Sequence, residues 1–463
     1  MLRFSQYLAE AVKFETEDLN GGHLDHVEDL LIKHGKEGLD LSLDFLDNVH
    51  KYLKGEPSAA NISVKHDGAP AMVFGRLPVK NSDKAGFVPG QFFVATKSAF
   101  NKQTQKFITS PEDVQTYFGD RPDLAAKMLA ALEHLPKVTP MRGIYQGDFM
   151  HTPDMIKQEG DEENGYVLSV NPQLMDYSVP ADSKIGQKMA QSQFGIVVHT
   201  AYPNAVWKPH PTTGELMLSF PRRQFNVPLR SFGKHPDVHV IDPRATAPIA
   251  ENYGTDAQAA YERAIKNVQH LTEKHDFDHV APHADHFSTY INSTVKTGEP
   301  MTFEGFLDHV RGKFQRQIEN PKNAKKAAAI GQRADEIIND LNMNSVKWRQ
   351  TMRIHQELTN AKHALMTGLD ANAQTNPNLM QGTISDPDTG EVVNSQEGHV
   401  VVMRNPQTGN DVPVKFINRP DFSRLNFNRG RFQQQQQAAA LELLQQAAAQ
   451  QQSKEGEAAQ PAQ

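Results

Sequence analysis

Cysteine is absent from the 463-residue chain, which excludes disulfides and thiolate metal sites. Long apolar runs are absent too. No stretch approaches the ~20 residues that a membrane-crossing helix needs, so no membrane partner is expected. Nor does one charge dominate: 48 Lys and Arg stand against 55 Asp and Glu, for a net charge of −7. Without a global basic field, any polyanion has to be handled in a local cationic groove. The first residues, MLRFSQYLAEAVKFE, lack the basic start and apolar core of a secretory signal, and a cytoplasmic location is the expectation. Hydrophobic residues make up 38% of the chain and the mean hydropathy is −0.58. Both are low for one compact globule, so part of the length is expected as solvated tail or polar helix, with enough left for a sizeable core.

The hydrophobic period changes four times along the chain. Residues 1–56 read as helical, with apolar positions at helical spacing in HLDHVEDLLIKHG and LDLSLDFLDNVHKYLKG. From 57 to 235 short strands dominate: NISVKHDGAPAMVFGR reads as two strands around a turn, and GQFFVATKSAF, GIYQGDFM, GYVLSVN, MDYSVP and FGIVVHTAY follow. One helical stretch interrupts them, opened by the Ser110-Pro111 cap and first-turn pair. Residues 236–375 are rich in Ala, Lys, Glu, Gln and His and read as amphipathic helices. Strand character returns over 376–432, where SQEGHVVVMRN and NDVPVKFINR flank a PQTG turn. The Gln/Ala-rich tail, 433–463, cannot bury enough apolar surface to offset its ordering entropy and is expected to be disordered. The fold class is α+β. Either several domains follow one another, or one β-rich domain is split by a helical insertion; the motifs favour the second.

The segment Val64-Lys65-His66-Asp67-Gly68-Ala69-Pro70 is the most informative. Lys65 stands at the end of a strand, where a side chain can project into a cleft. An ammonium with an ordinary pKa near 10.4 is a poor nucleophile; desolvation and neighbouring cations make it a better one. Read plainly, the segment is an exposed lysine followed by an Asp-Gly turn.

Lys-x-Asp-Gly is also the nucleophile motif of covalent nucleotidyltransferases: ATP-dependent DNA ligases, RNA ligases and mRNA capping enzymes. The chain resembles this superfamily at further points in the same order. FFVATKSAFNK resembles the element after the nucleophile, with Lys97-Ser98 where Ser-Arg is usual. Tyr145-Gln146-Gly147-Asp148-Phe149 resembles the strand ending in Gly-Glu, with a shorter acid at Asp148. FGIVVHTAY resembles the strand that delivers a base-stacking ring, with His199 near that place. Glu397-Gly398-His399-Val400-Val401-Val402 matches the Glu-Gly-x-Val strand, and Val412-Pro413-Val414-Lys415-Phe416-Ile417 the last motif. Glu397 and Lys415 are spaced for one hairpin, whereas the interval from Asp148 to Glu397 is far longer than the family needs, which marks the helices between as an insertion.

The resemblance covers about residues 57–235 and 376–432. It implies a nucleotidyltransferase fold of mainly antiparallel sheets in which Lys65 attacks the α-phosphorus of ATP and carries AMP. Asp67, Gly68, Lys97, His199, Glu397 and Lys415 would contact the nucleotide, and Asp148 and Glu397 would hold Mg²⁺ or Mn²⁺. Lys415, and with it Lys97, would lower the Lys65 pKa by like-charge repulsion. The departures leave a cation missing, for which Arg404 and Arg419 are candidates. The acceptor implied is a nucleic acid, an RNA or a nicked or single-stranded end. RNA ligase is preferred to DNA ligase because the residues after Lys415 leave no room for an OB barrel. The opening MLRFSQYLAEA resembles the starts of many tailed-phage proteins, which would place the protein in a host cytoplasm.

Other readings stay open. A ligase-like scaffold without catalysis could bind nucleotide or nucleic acid, or serve phage assembly, with the helical insertion docking protein partners. His23, His26 and Glu28, and separately His275, His279, His283 and His286, have spacings seen in metal sites, although Pro282 interrupts the second run. Arg424, Arg429 and Arg431, interleaved with Phe427 and Phe432, suit a phosphate backbone or the basic end of a last strand.

Overall fold

A computed structural model describes residues 24–225, 227–244, 250–385, 392–394, 396–405 and 409–423. His23, the arginines at 424, 429 and 431, and the Gln/Ala-rich tail lie outside the described residues. The rest is a mixture of helices and largely antiparallel sheets, the α+β class expected.

The strands Asn61–Lys65 and Ala71–Arg76, read from sequence as a pair around a turn, belong to different sheets. The first forms the outer strand of a small three-stranded sheet. There it pairs antiparallel with Gly398–Arg404, which in turn pairs with Asp411–Phe416. Ser63, Val400 and Lys415 lie in one row across this sheet. Lys65 is two residues beyond Ser63, so Lys65 and Lys415 share a face.

Ala71–Arg76 lies inside a six-stranded sheet, between Phe92–Ala95 and Ile144–His151. Phe194–Tyr202 follows on the other side of Ile144–His151, and its far edge takes Gln224–Phe225 antiparallel and Val238–Ile241 parallel. That last strand corrects the expected boundary at 236: the chain leaves the β region only after Ile241, and the first long helix begins at Thr255. A five-stranded sheet has the order 392–394, 381–385, 176–180, 165–170, 157–161, so strands from both sides of the helical region are joined, as a split domain requires. The helical stretch after Ser110 is two helices, Pro111–Phe118 and Pro122–His134, the first closed by a capping box between Ser110 and Asp113.

The helical region does not stand apart. The N-terminal helix Leu30–Leu53, kinked at Gly35 where φ is 58°, packs with Thr255–Thr272, Ala284–Thr297, Phe303–Glu319 and the long helix Ser345–Gln374 around the fully buried Trp348. Ile62, Val401, Met403, Val414 and Phe416 of the small sheet belong to the same core. Helices expected as an N-terminal segment and a separate insertion thus form one layer that covers the small sheet, because each presents an apolar stripe that nothing else can bury.

Candidate functional site

Between the small sheet, the six-stranded sheet and the helical layer lies a cavity of about 970 Å³. Lys65, Asp67, Gly68, Lys97, Asp148, His199, Glu397 and Lys415 all line it. The structure therefore brings together every residue that the motifs singled out, although Lys65 and Glu397 are 332 residues apart.

Gly68 is dictated by proximity. A Cβ there would lie 2.6 Å from the Phe149 carbonyl oxygen and 2.7 Å from the Asp148 Cβ, so only glycine lets the motif loop cross against the strand that carries Asp148. Asp67 acts as a pin. Its Oδ2 accepts the Leu174 N–H at 2.9 Å, and its own N–H donates to the Tyr177 hydroxyl oxygen at 2.5 Å, which ties the loop to the five-stranded sheet. His199 sits where the register between Ile144–His151 and Phe194–Tyr202 shifts, a β-bulge of the kind that re-aims a side chain. Its Nε2 is 3.5 Å from Asp148 Oδ2 and its Nδ1 2.8 Å from Thr200 Oγ1. Lys97 is exposed at the rim.

Lys65 Nζ donates to Glu397 Oε1. Desolvation works to lower the Lys65 pKa, but the charge and hydrogen bond of Glu397, helped by Asp148 and Asp67, outweigh it and the net shift is upward. This corrects the expectation that Lys415 depresses Lys65: carboxylates dominate the surroundings of Lys65. The depressed amine is Lys415, brought down to about 8 by desolvation and then by the charge of Lys65. Burial, opposed by Lys65 and reinforced by Asp67 and Asp148, pushes the Glu397 carboxyl up to about 7. Glu397 and Lys415 are thus the two groups of the set shifted toward neutral pH, while Lys65 is held as an ammonium.

Glu397 Oε2 is buried without a hydrogen-bond partner among the described residues, an open acceptor for a divalent ion or a ribose hydroxyl. The described residues contain no group of three or more His, Cys, Asp or Glu arranged to hold a metal. Glu397 and Asp148 are among the hard oxygen donors on the cavity wall that could share a divalent ion with substrate oxygens. In the second histidine run, His275 and His279 both meet Thr351 Oγ1, at 2.9 and 3.0 Å, and His283 meets Asp340 at 2.6 Å.

Of the two candidates for the missing cation, Arg419 borders the cavity. Arg404 does not; it is exposed and pairs with Asp411 at 3.3 Å. Arg419 grips both oxygens of Asp29, and Asp29 also accepts from His355 at 2.9 Å. Beside them the fully buried Lys362 and Glu28 pair at 2.6 Å. The sequence reading missed the contribution of the N-terminal segment, which lines the cavity with Asp25, His26, Asp29 and Lys33, and that of Arg223. The one local signal was the Glu28-Asp29 acidic pair just before an apolar run.

The fold and site define a mixed α+β protein in which a helical layer, the small sheet and the six-stranded sheet border a charged cavity. No helix among the described residues is long and apolar enough to cross a membrane. The chain belongs to DUF6267, a family of unknown function, which it matches over residues 20–431. No curated protein and no solved structure matches it.

Proposed function

We propose that the chain is an ATP-dependent nucleotidyltransferase of the polynucleotide ligase type, with Lys65 as the residue that carries AMP. One observation supports this above all: Lys65, Asp148 and Lys415, from three strands of two sheets, and Glu397, just before a fourth strand, border a single cavity of about 970 Å³. That volume falls in the range of nucleotide-sized ligand sites.

In the first step the Lys65 ammonium, held above its ordinary pKa by Glu397, gives a proton to that carboxylate as the nitrogen attacks. The Lys65 nitrogen then bonds to the α-phosphorus of ATP as the bond to the pyrophosphate oxygen breaks, in line. Lys415 and Arg419 face the negative charge that spreads over the phosphate oxygens. Mg²⁺ or Mn²⁺, when bound by Glu397 and Asp148, supplies further neutralisation of that charge. Asp67 and Gly68 hold the nucleophile's loop in place, and the ring of His199 lies where it can meet the base. Lys97 and Arg223 at the cavity wall suit a polyanionic acceptor, an RNA end in preference to DNA, in the cytoplasm of a phage host.

The upward shift of the Lys65 pKa favours a second reading, in which the Lys65–Glu397 pair is a fixed element of a non-catalytic nucleotide-binding or phage-assembly protein. Incubation with α-labelled ATP and Mn²⁺ separates the two. The enzyme acquires an acid-labile, hydroxylamine-sensitive label that Lys65→Ala abolishes. A wild-type chain unlabelled by either ATP or GTP overturns the catalytic reading in favour of the binding one.

A further inference from the structure

Away from the cavity, three residues fall in one row across the six-stranded sheet. His151 and His239 are both in register with Gly195, which lies on the strand between theirs. A Cβ on Gly195 would come within 2.2 Å of His151 Cδ2 and Nε2. The imidazole of His151 therefore lies over the glycine and reaches toward His239, and the two ring centroids are 5.8 Å apart. His151 is wholly buried and His239 is 4% exposed. Both nitrogens of His151 and Nδ1 of His239 are buried without a hydrogen-bond partner among the described residues. A neutral imidazole has one N–H donor and one acceptor nitrogen, and leaving them unmet in a protein interior is costly.

We propose that His151 and His239 form a two-imidazole site for a late first-row transition-metal ion, best suited to Cu(I). Two imidazoles that share an ion at about 2.0 Å from each nitrogen have centroids roughly 5 to 6 Å apart, which matches the spacing here. Oxygen donors are absent from the pair, so the hard ions Mg²⁺ and Ca²⁺ are poor fits, whereas imidazole suits copper and zinc. Among the described residues no carboxylate acts on either ring, and the charged side chain felt by His239 is the cation Lys188. A buried ion of single charge is therefore less costly than a dication. Burial first of all holds both rings neutral, with pKa values down to about 4 for His151 and about 3 for His239; neutral imidazole is the form that ligates. The site is independent of the Lys65 cavity and of the activity proposed for it.

The test is anaerobic titration of the purified full chain with Cu(I) against a chromophoric chelator, and separately with Zn²⁺. X-ray absorption on the loaded wild type reads the ligands directly. The expected result is one retained equivalent of Cu(I) with two nitrogen neighbours, at least tenfold weaker retention of Zn²⁺, and loss of the Cu(I) equivalent in His239→Asn. Glu397→Gln, which alters the cavity alone, keeps it. Gly195→Ala, which displaces the His151 ring but leaves both ligands in the chain, loses it as well. Circular dichroism of each variant without metal checks that it is folded. Wild-type protein that retains no Cu(I), or retains it with sulfur or oxygen neighbours, overturns the proposal.

Discussion

The amine of Lys65, at the end of one strand of the small sheet, and the carboxylate of Glu397, just before the neighbouring strand, form an ion pair between residues 332 apart in sequence. Only Oε1 of Glu397 is occupied by the pair; Oε2 is buried and unmet among the described residues.

The first prediction is a bell-shaped pH profile for self-labelling by ATP. Below about 7 the Glu397 carboxyl holds a proton and cannot accept one from Lys65; above about 8 Lys415 loses the charge that faces phosphate. Labelling is expected to peak between these values. Glu397→Gln flattens the acidic limb and lowers the rate at least tenfold, and Lys415→Arg moves the alkaline limb upward. Label incorporation measured across neutral pH tests both limbs.

Arginines 404 and 419 are expected to behave differently. Arg419→Gln removes a cavity cation that is also locked onto Asp29, and nucleotide affinity should fall about tenfold or more, the scale of a charge-assisted hydrogen bond. Arg404→Gln removes an exposed guanidinium from Asp411, which keeps the Phe225 N–H on its other oxygen, and is expected to leave affinity unchanged and to cost no more than about 1 kcal/mol of stability. Equilibrium nucleotide binding and urea unfolding of both variants make the comparison.

Glu28 and Lys362 form a fully buried pair. Removing one partner strands the other charge, so Glu28→Gln or Lys362→Met each should cost about 3–5 kcal/mol, and Glu28→Leu combined with Lys362→Met should recover most of that loss. Burial works to raise the Glu28 pKa, but Lys362 and Arg419 outweigh it and bring the value from 4.5 down to about 2. A depressed carboxyl contributes stability that is full above 4.5 and is lost as pH falls from there toward 2. Urea unfolding at a series of acidic pH values reads that slope, which Glu28→Gln should flatten.

Gly68→Ala is expected to damage the site more than its size suggests. The added methyl meets the Phe149 carbonyl and the Asp148 side chain well inside contact distance. Either the motif loop or the Asp148 strand must move, and nucleotide binding should be lost while far-ultraviolet circular dichroism stays near that of wild type. Calorimetric titration with a non-hydrolysable ATP analogue tests this.

Much of the site was legible in the sequence because its residues sit in short motifs that keep their order: Lys65, Asp148, Glu397 and Lys415 all reach the same cavity. What local pattern could not carry was the choice of partner. Amphipathic helices show that a stripe must be buried but not against what; that the helical layer shares a core with Val401 and Phe416 is visible only in the fold. The strand Val238–Ile241 was missed because four residues beside a change in composition give little period to read. The direction of the Lys65 shift was misjudged for a related reason. The resemblance pointed to Lys415 and Lys97 as the groups acting on Lys65, but in space Glu397 acts on it more strongly. The histidine runs suggested metal because spacing was visible, whereas Thr351 and Asp340, their actual neighbours, lie on other helices.

The order of strands in the small sheet has a consequence for biosynthesis. Gly398–Arg404 separates Asn61–Lys65 from Asp411–Phe416, so the ribosome delivers one edge of the sheet long before its neighbour exists. At roughly 5–20 residues per second, that early strand waits on the order of tens of seconds with its pairing groups unmet. The nascent chain therefore carries an unpaired strand edge for most of its translation, and the cavity wall closes only once the last strands emerge.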